Sequence, residues 1–172
     1  MYSALVIASQ FVNRAIENGK PITQMKLQKM LYIAQGLHLA STGKPIINEI
    51  IQAWKYGPVI PQIYEYYKMW GNLPITKPTI IGAFSESNIS IGLDVLCDSA
   101  ETIIDATWDI TKDIDAVKLS NWTHEANSPW FKSFHGAGCV DICTVPIPHS
   151  LIADYFKTTF GLKIDTNNFA TA

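Results

Sequence analysis

Charge is scarce in this chain. Asp, Glu, Lys and Arg make up 16% of its 172 residues, the formal net charge is −2, and the pI is near 6.0. Domains that grip DNA or RNA through phosphates carry a basic patch. Here the 13 Lys and Arg are scattered, with Lys20, Lys26 and Lys29 the nearest approach to a cluster, which argues against a nucleic-acid role. Cysteine is sparse and odd in number. Cys97, Cys139 and Cys143 read as reduced thiols of a cytoplasmic protein. No apolar run approaches the ~18 residues of a membrane span. Residues 1–19 lack a basic leader region, and Ser9, Gln10, Asn13 and Arg14 interrupt their apolar residues, so no secretory leader is expected. The one glycine-rich piece, HGAGC at 135–139, is too short for a phosphate loop and has no Lys-Ser or Lys-Thr after it.

What the chain does have is apolar matter: 48% of residues are hydrophobic and 11% aromatic, enough for a substantial core. The expectation is one mainly α, compact domain of five or six helices over residues 1–164, with room for a small β-sheet or hairpin, and a loose tail at 165–172. A first helix is predicted over 3–18, stopped by Gly19. A second runs over about 24–41 from an N-cap at Thr23 to Gly43 and Pro45, and it is so nearly apolar all round that it belongs at the centre of the domain. Residues 46–54 read as extended, and YGPVIP as a turn leading into a third helix at about 59–70. A clean amphipathic pattern follows. Leu93, Leu96, Cys97, Ala100, Ile104 and Trp108 form one face, while Asp94, Asp98, Glu101, Asp105 and Asp109 form the other. Helices over 113–123 and 150–160 complete the set, with loop and room for a short strand between 135 and 148.

Chemistry is hard to find. His124-Glu125 invites an acid–base or metal reading, but the zinc-protease pattern needs a second His one turn on, and position 128 is Ser. His124, His135, Cys139 and Cys143 are too loosely placed for a convincing zinc set. Nothing local activates a cysteine as nucleophile. Neither catalysis nor a cofactor is expected. The acidic stripe is either a solvated helix face or a docking surface for a basic partner, since like charges at i,i+4 repel by a few tenths of a kcal/mol. Lys26, Lys29, Tyr66 and Tyr67 are the other side chains read as partner-facing, the tyrosines because they give large contact area at low entropy cost.

Two blocks carry a resemblance. MKLQKMLYIAQGLHLASTGKPI followed by AWKYGPVIPQIYEYYK resembles the SocA-like domain also called Panacea, found too in phage-associated GepA-type proteins. The Lys-Leu-Gln-Lys-Leu-Leu-Tyr helix of that family matches Lys26, Leu27, Gln28, Lys29, Leu31 and Tyr32, with Met30 where Leu is usual. The Ala-Trp-x-Tyr-Gly-Pro-Val element matches Trp54, Tyr56, Gly57 and Pro58, and a later His-x-x-x-x-Pro-Trp element matches His124, Pro129 and Trp130. The resemblance implies a helical, non-catalytic protein that acts by binding. It would be an antitoxin neutralising a cognate toxin by direct contact, encoded on a prophage or mobile element. The alternative it implies is a proteolytic adaptor that delivers its partner to a ClpXP-type protease. On this view the motif residues are scaffold, and specificity lies in the polar faces and in residues 71–90.

Overall fold

The computed structural model describes residues 1–79, 96–139 and 144–161. Among them are seven α-helices and a small sheet: α1 (Ala4–Glu17), α2 (Gln24–Thr42), β1 (Gln52–Trp54), β2 (Gly57–Val59), α3 (Pro61–Tyr67), a 3-10 turn (Lys68–Trp70), α4 (Asp98–Thr111), α5 (Ala116–Thr123), α6 (Pro129–Gly136), β3 (Val145–Pro146) and α7 (His149–Phe160). The expected tail at 165–172, Asp94 and Cys143 lie outside the described residues.

Local chemistry explains most boundaries. Thr23 accepts a hydrogen bond from the Lys26 N–H at 3.3 Å and starts α2, and Gly43, in the left-handed region, ends it. Asp115 starts α5 through the Lys118 N–H at 2.8 Å. Glu49 covers the start of α1 from a distant segment, accepting from the Ala4 N–H at 2.7 Å.

The core is built around α2. This helix packs against α1, α3, α4, α5, α7 and β2, and every residue from Lys26 to Ala40 is buried. It packs tightly against α7. A Cβ placed on Gly36 would lie 2.4 Å from the Phe156 ring, so the absence of a side chain there lets the ring press against the α2 backbone. Tyr32 meets the same ring edge-on at 5.5 Å.

Four expectations are corrected. The YGPVIP stretch is not simply a turn: Gly57–Val59 pairs antiparallel with Gln52–Trp54, so Tyr56 sits at the tip of a short hairpin, and the sheet order is β2-β1-β3. Pro58 is tolerated in the ladder because β2 is an edge strand. The third helix therefore begins at Pro61 rather than near 59, with its proline at the first helical position. Residues 129–136, not expected to be helical, form α6; Ser128 caps it by accepting from the Phe131 N–H at 3.0 Å. Cys97 is not on the apolar face of the acidic helix but precedes it as N-cap, exposed to solvent.

Candidate partner-binding surface

The polar residues of the central helix point at backbone. Gln28 is buried and makes a matched pair of hydrogen bonds with one residue: its Oε1 accepts from the Ile60 N–H at 2.8 Å and its Nε2 donates to the Ile60 carbonyl at 3.2 Å. Lys29 is only 1% exposed, and its Nζ donates to the Tyr56 carbonyl at 2.8 Å and the Pro58 carbonyl at 3.1 Å. Further along the helix, Gln35 accepts from the Ile46 and Ile47 N–H groups at 3.0 and 2.9 Å. Burying such groups is costly unless each finds a partner. Here the partners are the irregular segments wrapped around α2, whose own N–H and C=O groups need the same satisfaction.

The hairpin is also held from its other side. Trp130 donates its indole N–H to the Trp54 carbonyl at 2.7 Å. The His124 Nε2 lies 3.2 Å from the Lys55 carbonyl and its Nδ1 lies 2.6 Å from the Ser120 carbonyl. Ser120 donates to the Tyr56 carbonyl at 3.3 Å. The His124 and Trp130 rings are in contact, with centroids 3.9 Å apart. The carbonyls of Trp54, Lys55, Tyr56 and Pro58 are thus each faced by a side chain from α2, from α5 and its C-cap, or from α6. Two separated motif blocks thus converge on the hairpin that the third one forms. Both ring nitrogens of His124 face backbone carbonyls, one on the hairpin and one on α5.

Gly57 completes the clamp. Its φ is +105°, and a Cβ there would lie 2.5 Å from the Lys29 Nζ and 2.9 Å from the Thr123 hydroxyl. Lys29 passes through the space that any other residue would fill.

Burial holds the Lys29 ammonium down to about 7, from an ordinary value of 10.5. The unfolded chain keeps this proton up to about pH 10, so between about pH 7 and 10 the unfolded state binds more protons, and stability rises with pH. Below about pH 7 both states are protonated and the burial penalty is constant. The expected result is that the gap in unfolding free energy between the natural chain and Lys29→Met widens by about 2 kcal/mol in favour of the natural chain from about pH 7 to 9. Urea titrations at the two pH values measure this; a constant gap would refute it.

Beside the hairpin tip lies a groove of about 600 Å³, walled chiefly by Met25, Trp54, Tyr56, Val59 and Tyr64 and reaching Lys29 and Lys55. Trp54 and Tyr64 pack ring to ring at 5.1 Å. Tyr56 is 70% exposed although its carbonyl is doubly held. Gly71 and Asn72, which open the segment 71–90, also line the groove; residues 80–90 lie outside the described residues.

The other side chains read as partner-facing are dispersed. Lys29 and Tyr67 are buried, contrary to expectation, and so is most of Lys26, whose Nζ donates to the Lys112 carbonyl at 2.9 Å. The polarity of a residue says little about exposure on a helix enclosed on every side. Tyr67 packs in the core with its hydroxyl against Thr79, and Tyr66 is half-buried against the Tyr67 ring. Asp98, Glu101, Asp105 and Asp109 are all exposed on α4, but Asp105 meets Arg14 of α1 and Asp109 meets Lys112, each at 2.6 Å. The cations missing from the acidic repeat come partly from another helix. Cys139 is disulfide-bonded, where composition pointed to reduced thiols; the compartment argument describes average thiols, and an odd count does not exclude one bonded pair. Among the described residues Cys97 is the free thiol, and no helix is long and apolar enough to cross a membrane.

A hairpin clamped by a Lys-Leu-Gln-Lys helix, a Tyr-Gly-Pro tip and a His…Pro-Trp element defines a helical scaffold with an exposed aromatic edge. The profile of the family described as "Antitoxin SocA-like, Panacea domain" matches residues 27–131, and the chain belongs to that family. It is 28% identical over 164 residues to Antitoxin SocA of Caulobacter vibrioides, covering 90% of this chain and 82% of that relative. No solved structure matches it. The matched span takes in the three motif blocks except Lys26, and none of α1 or α7.

Proposed function

We propose that this chain is an antitoxin that neutralises a cognate toxin protein by direct contact. The observation that carries the reading is family membership over the whole hairpin clamp, supported by the likeness to a relative named as an antitoxin. The geometry is of a kind suited to binding. Side chains from three helices fix the backbone of an exposed hairpin, so little conformational freedom remains to be lost when a partner docks there. The acidic face of α4 offers a second contact area for a basic region of the partner, although Arg14 and Lys112 already offset part of its charge.

The test is co-expression of the tagged chain with each neighbouring gene of its genome. A neighbour that stops growth when expressed alone, becomes harmless with this chain and co-purifies with it in fixed stoichiometry is the expected result. A chain that purifies alone and protects against no neighbour would refute the reading. The partner's half-life in the protected cells separates the two modes. An unchanged half-life indicates blocking by contact, and a shortened one indicates delivery to a ClpXP-type protease.

A further inference from the structure

We propose that the outer face of α4 docks a basic amphipathic helix of the protein partner, one that sets aliphatic side chains three and four positions apart with Lys or Arg beside them. The proposal rests on the reading of the chain as a partner-binding antitoxin and names what the partner must present. An apolar seam leads to it. Ile103, Ala106 and Ile110 follow one another by three and four residues, so they share one edge of α4. Ile103 and Ala106 are half-buried and Ile110 is 42% exposed, while the next row round the helix, Ala100, Ile104, Thr107 and Thr111, is buried in the core. A seam spaced by three and four is the form in which one helix receives the side chains of another. Ala106, with only a methyl group between two isoleucines, makes the hollow into which one large aliphatic side chain fits.

Charge identifies the occupant. On the side of the seam away from the core, Asp98, Asp105 and Asp109 form a parallel row with Glu101 beyond it, and all four are exposed. Arg14 offsets Asp105 and Lys112 offsets Asp109, which leaves Asp98 and Glu101 without a cation among the described residues. Residues 80–95, 140–143 and 162–172 hold one cation, Lys163, against Glu86, Asp94, Asp141 and Asp165, so the chain has little further positive charge to bring to α4. Glu101 and Asp105, and Asp105 and Asp109, are like charges one turn apart, and a Lys or Arg laid along the row would relieve both repulsions. A second copy of this chain is the wrong occupant on the same ground, since two α4 faces brought together would set acid against acid. The element that fits is basic where it meets the row and aliphatic where it meets Ile103 and Ile110.

The experiment is selection, on the full chain, of a displayed library of helical peptides about two dozen residues long with one face randomised. Enriched peptides are expected to carry Leu or Ile at spacings of three and four flanked by Lys or Arg. They should bind Ile110→Asp, and the double variant Asp98→Lys with Glu101→Lys, about tenfold or more weakly, and lose affinity as salt rises. All three side chains are exposed, and urea midpoints verify that the variants fold. Should Ile110→Asp unfold, Ile110→Ala repeats the test with an expected loss of about threefold. Failure to enrich any peptide, enrichment of acidic peptides, or peptides indifferent to these substitutions would overturn the assignment. So would self-association of the natural chain that Ile110→Asp abolishes, which would give the face to a second copy. If the natural chain and the variants protect equally well against the toxic neighbour, the α4 assignment is wrong and the antitoxin reading stands. If no neighbour is toxic, the antitoxin reading fails while the peptides still decide what α4 receives.

Discussion

Alanine at position 57 is expected to lower the unfolding free energy by about 4 kcal/mol, a large share of the roughly 5–15 kcal/mol typical of a domain. Two costs combine. A residue with a Cβ resists the positive φ of Gly57, at about 1–2 kcal/mol. The new methyl would also lie 2.5 and 2.9 Å from the Lys29 Nζ and Cε, so the end of Lys29 must move away from the Tyr56 and Pro58 carbonyls that it holds. Displacing it leaves a buried amine and a buried Pro58 carbonyl unpaired, at about 1–3 kcal/mol each. Gly43→Ala is the control, since φ there is +73° but no atom lies within 4 Å of the point its Cβ would occupy. It should show the conformational cost alone. Equal losses in the two variants, measured by urea unfolding, would show that the contact with Lys29 does not matter.

Gln35→Leu is expected to cost about 3–4 kcal/mol. The side chain is fully buried, and its Oε1 accepts from two successive backbone N–H groups, those of Ile46 and Ile47. Leucine fills a similar volume but leaves both donors without an acceptor, at about 1–3 kcal/mol apiece, and the small gain in apolar burial does not offset this. The damage should be local as well as global, because the Ile46 carbonyl also accepts from the Tyr2 N–H at 2.8 Å and ties the start of the chain to this segment. Hydrogen exchange at the Ile46 and Ile47 amides is the sharper measurement. Their protection should fall well ahead of the Leu37 and Leu39 amides in the same variant; uniform loss across the chain would mean that Gln35 acts only through overall stability.

Much of this fold was legible because its helices announce their ends. Thr23 and Gly43 bracket α2, and the apolar positions Ala100, Ile104 and Trp108 are buried as their spacing requires. What was not legible has a common cause. Lys29 and Gln28 look like surface residues because their partners are carbonyl and amide groups of Tyr56, Pro58 and Ile60, which no side-chain pattern reveals. Tyr67 looks like a surface anchor beside Tyr66 because a short helix offers too few turns to tell its inner face from its outer one. Pro58 has no N–H to give a ladder, and it fits a strand only because β2 lies at the sheet edge. The α6 helix could have been found: Ser128 before Pro129 is a helix-start signature. The groove was not legible, since Met25, Trp54, Tyr64 and Asn72 come from separate stretches of the chain.

The order in which the chain emerges during synthesis gives the clamp a further meaning. Ser120, His124 and Trp130 reach hairpin residues that precede them by 64, 69 and 76 positions. A nascent chain that has released α1, α2 and the hairpin still lacks three of the four side chains that face the hairpin carbonyls. Because contacts between distant positions must wait for the later one, the tip matures only after the second half of the domain has left the ribosome. Prematurely ended chains that stop before α5 would therefore carry the exposed Tyr56 without Ser120, His124 and Trp130 behind the hairpin, and a partner would meet a finished surface only on a finished domain.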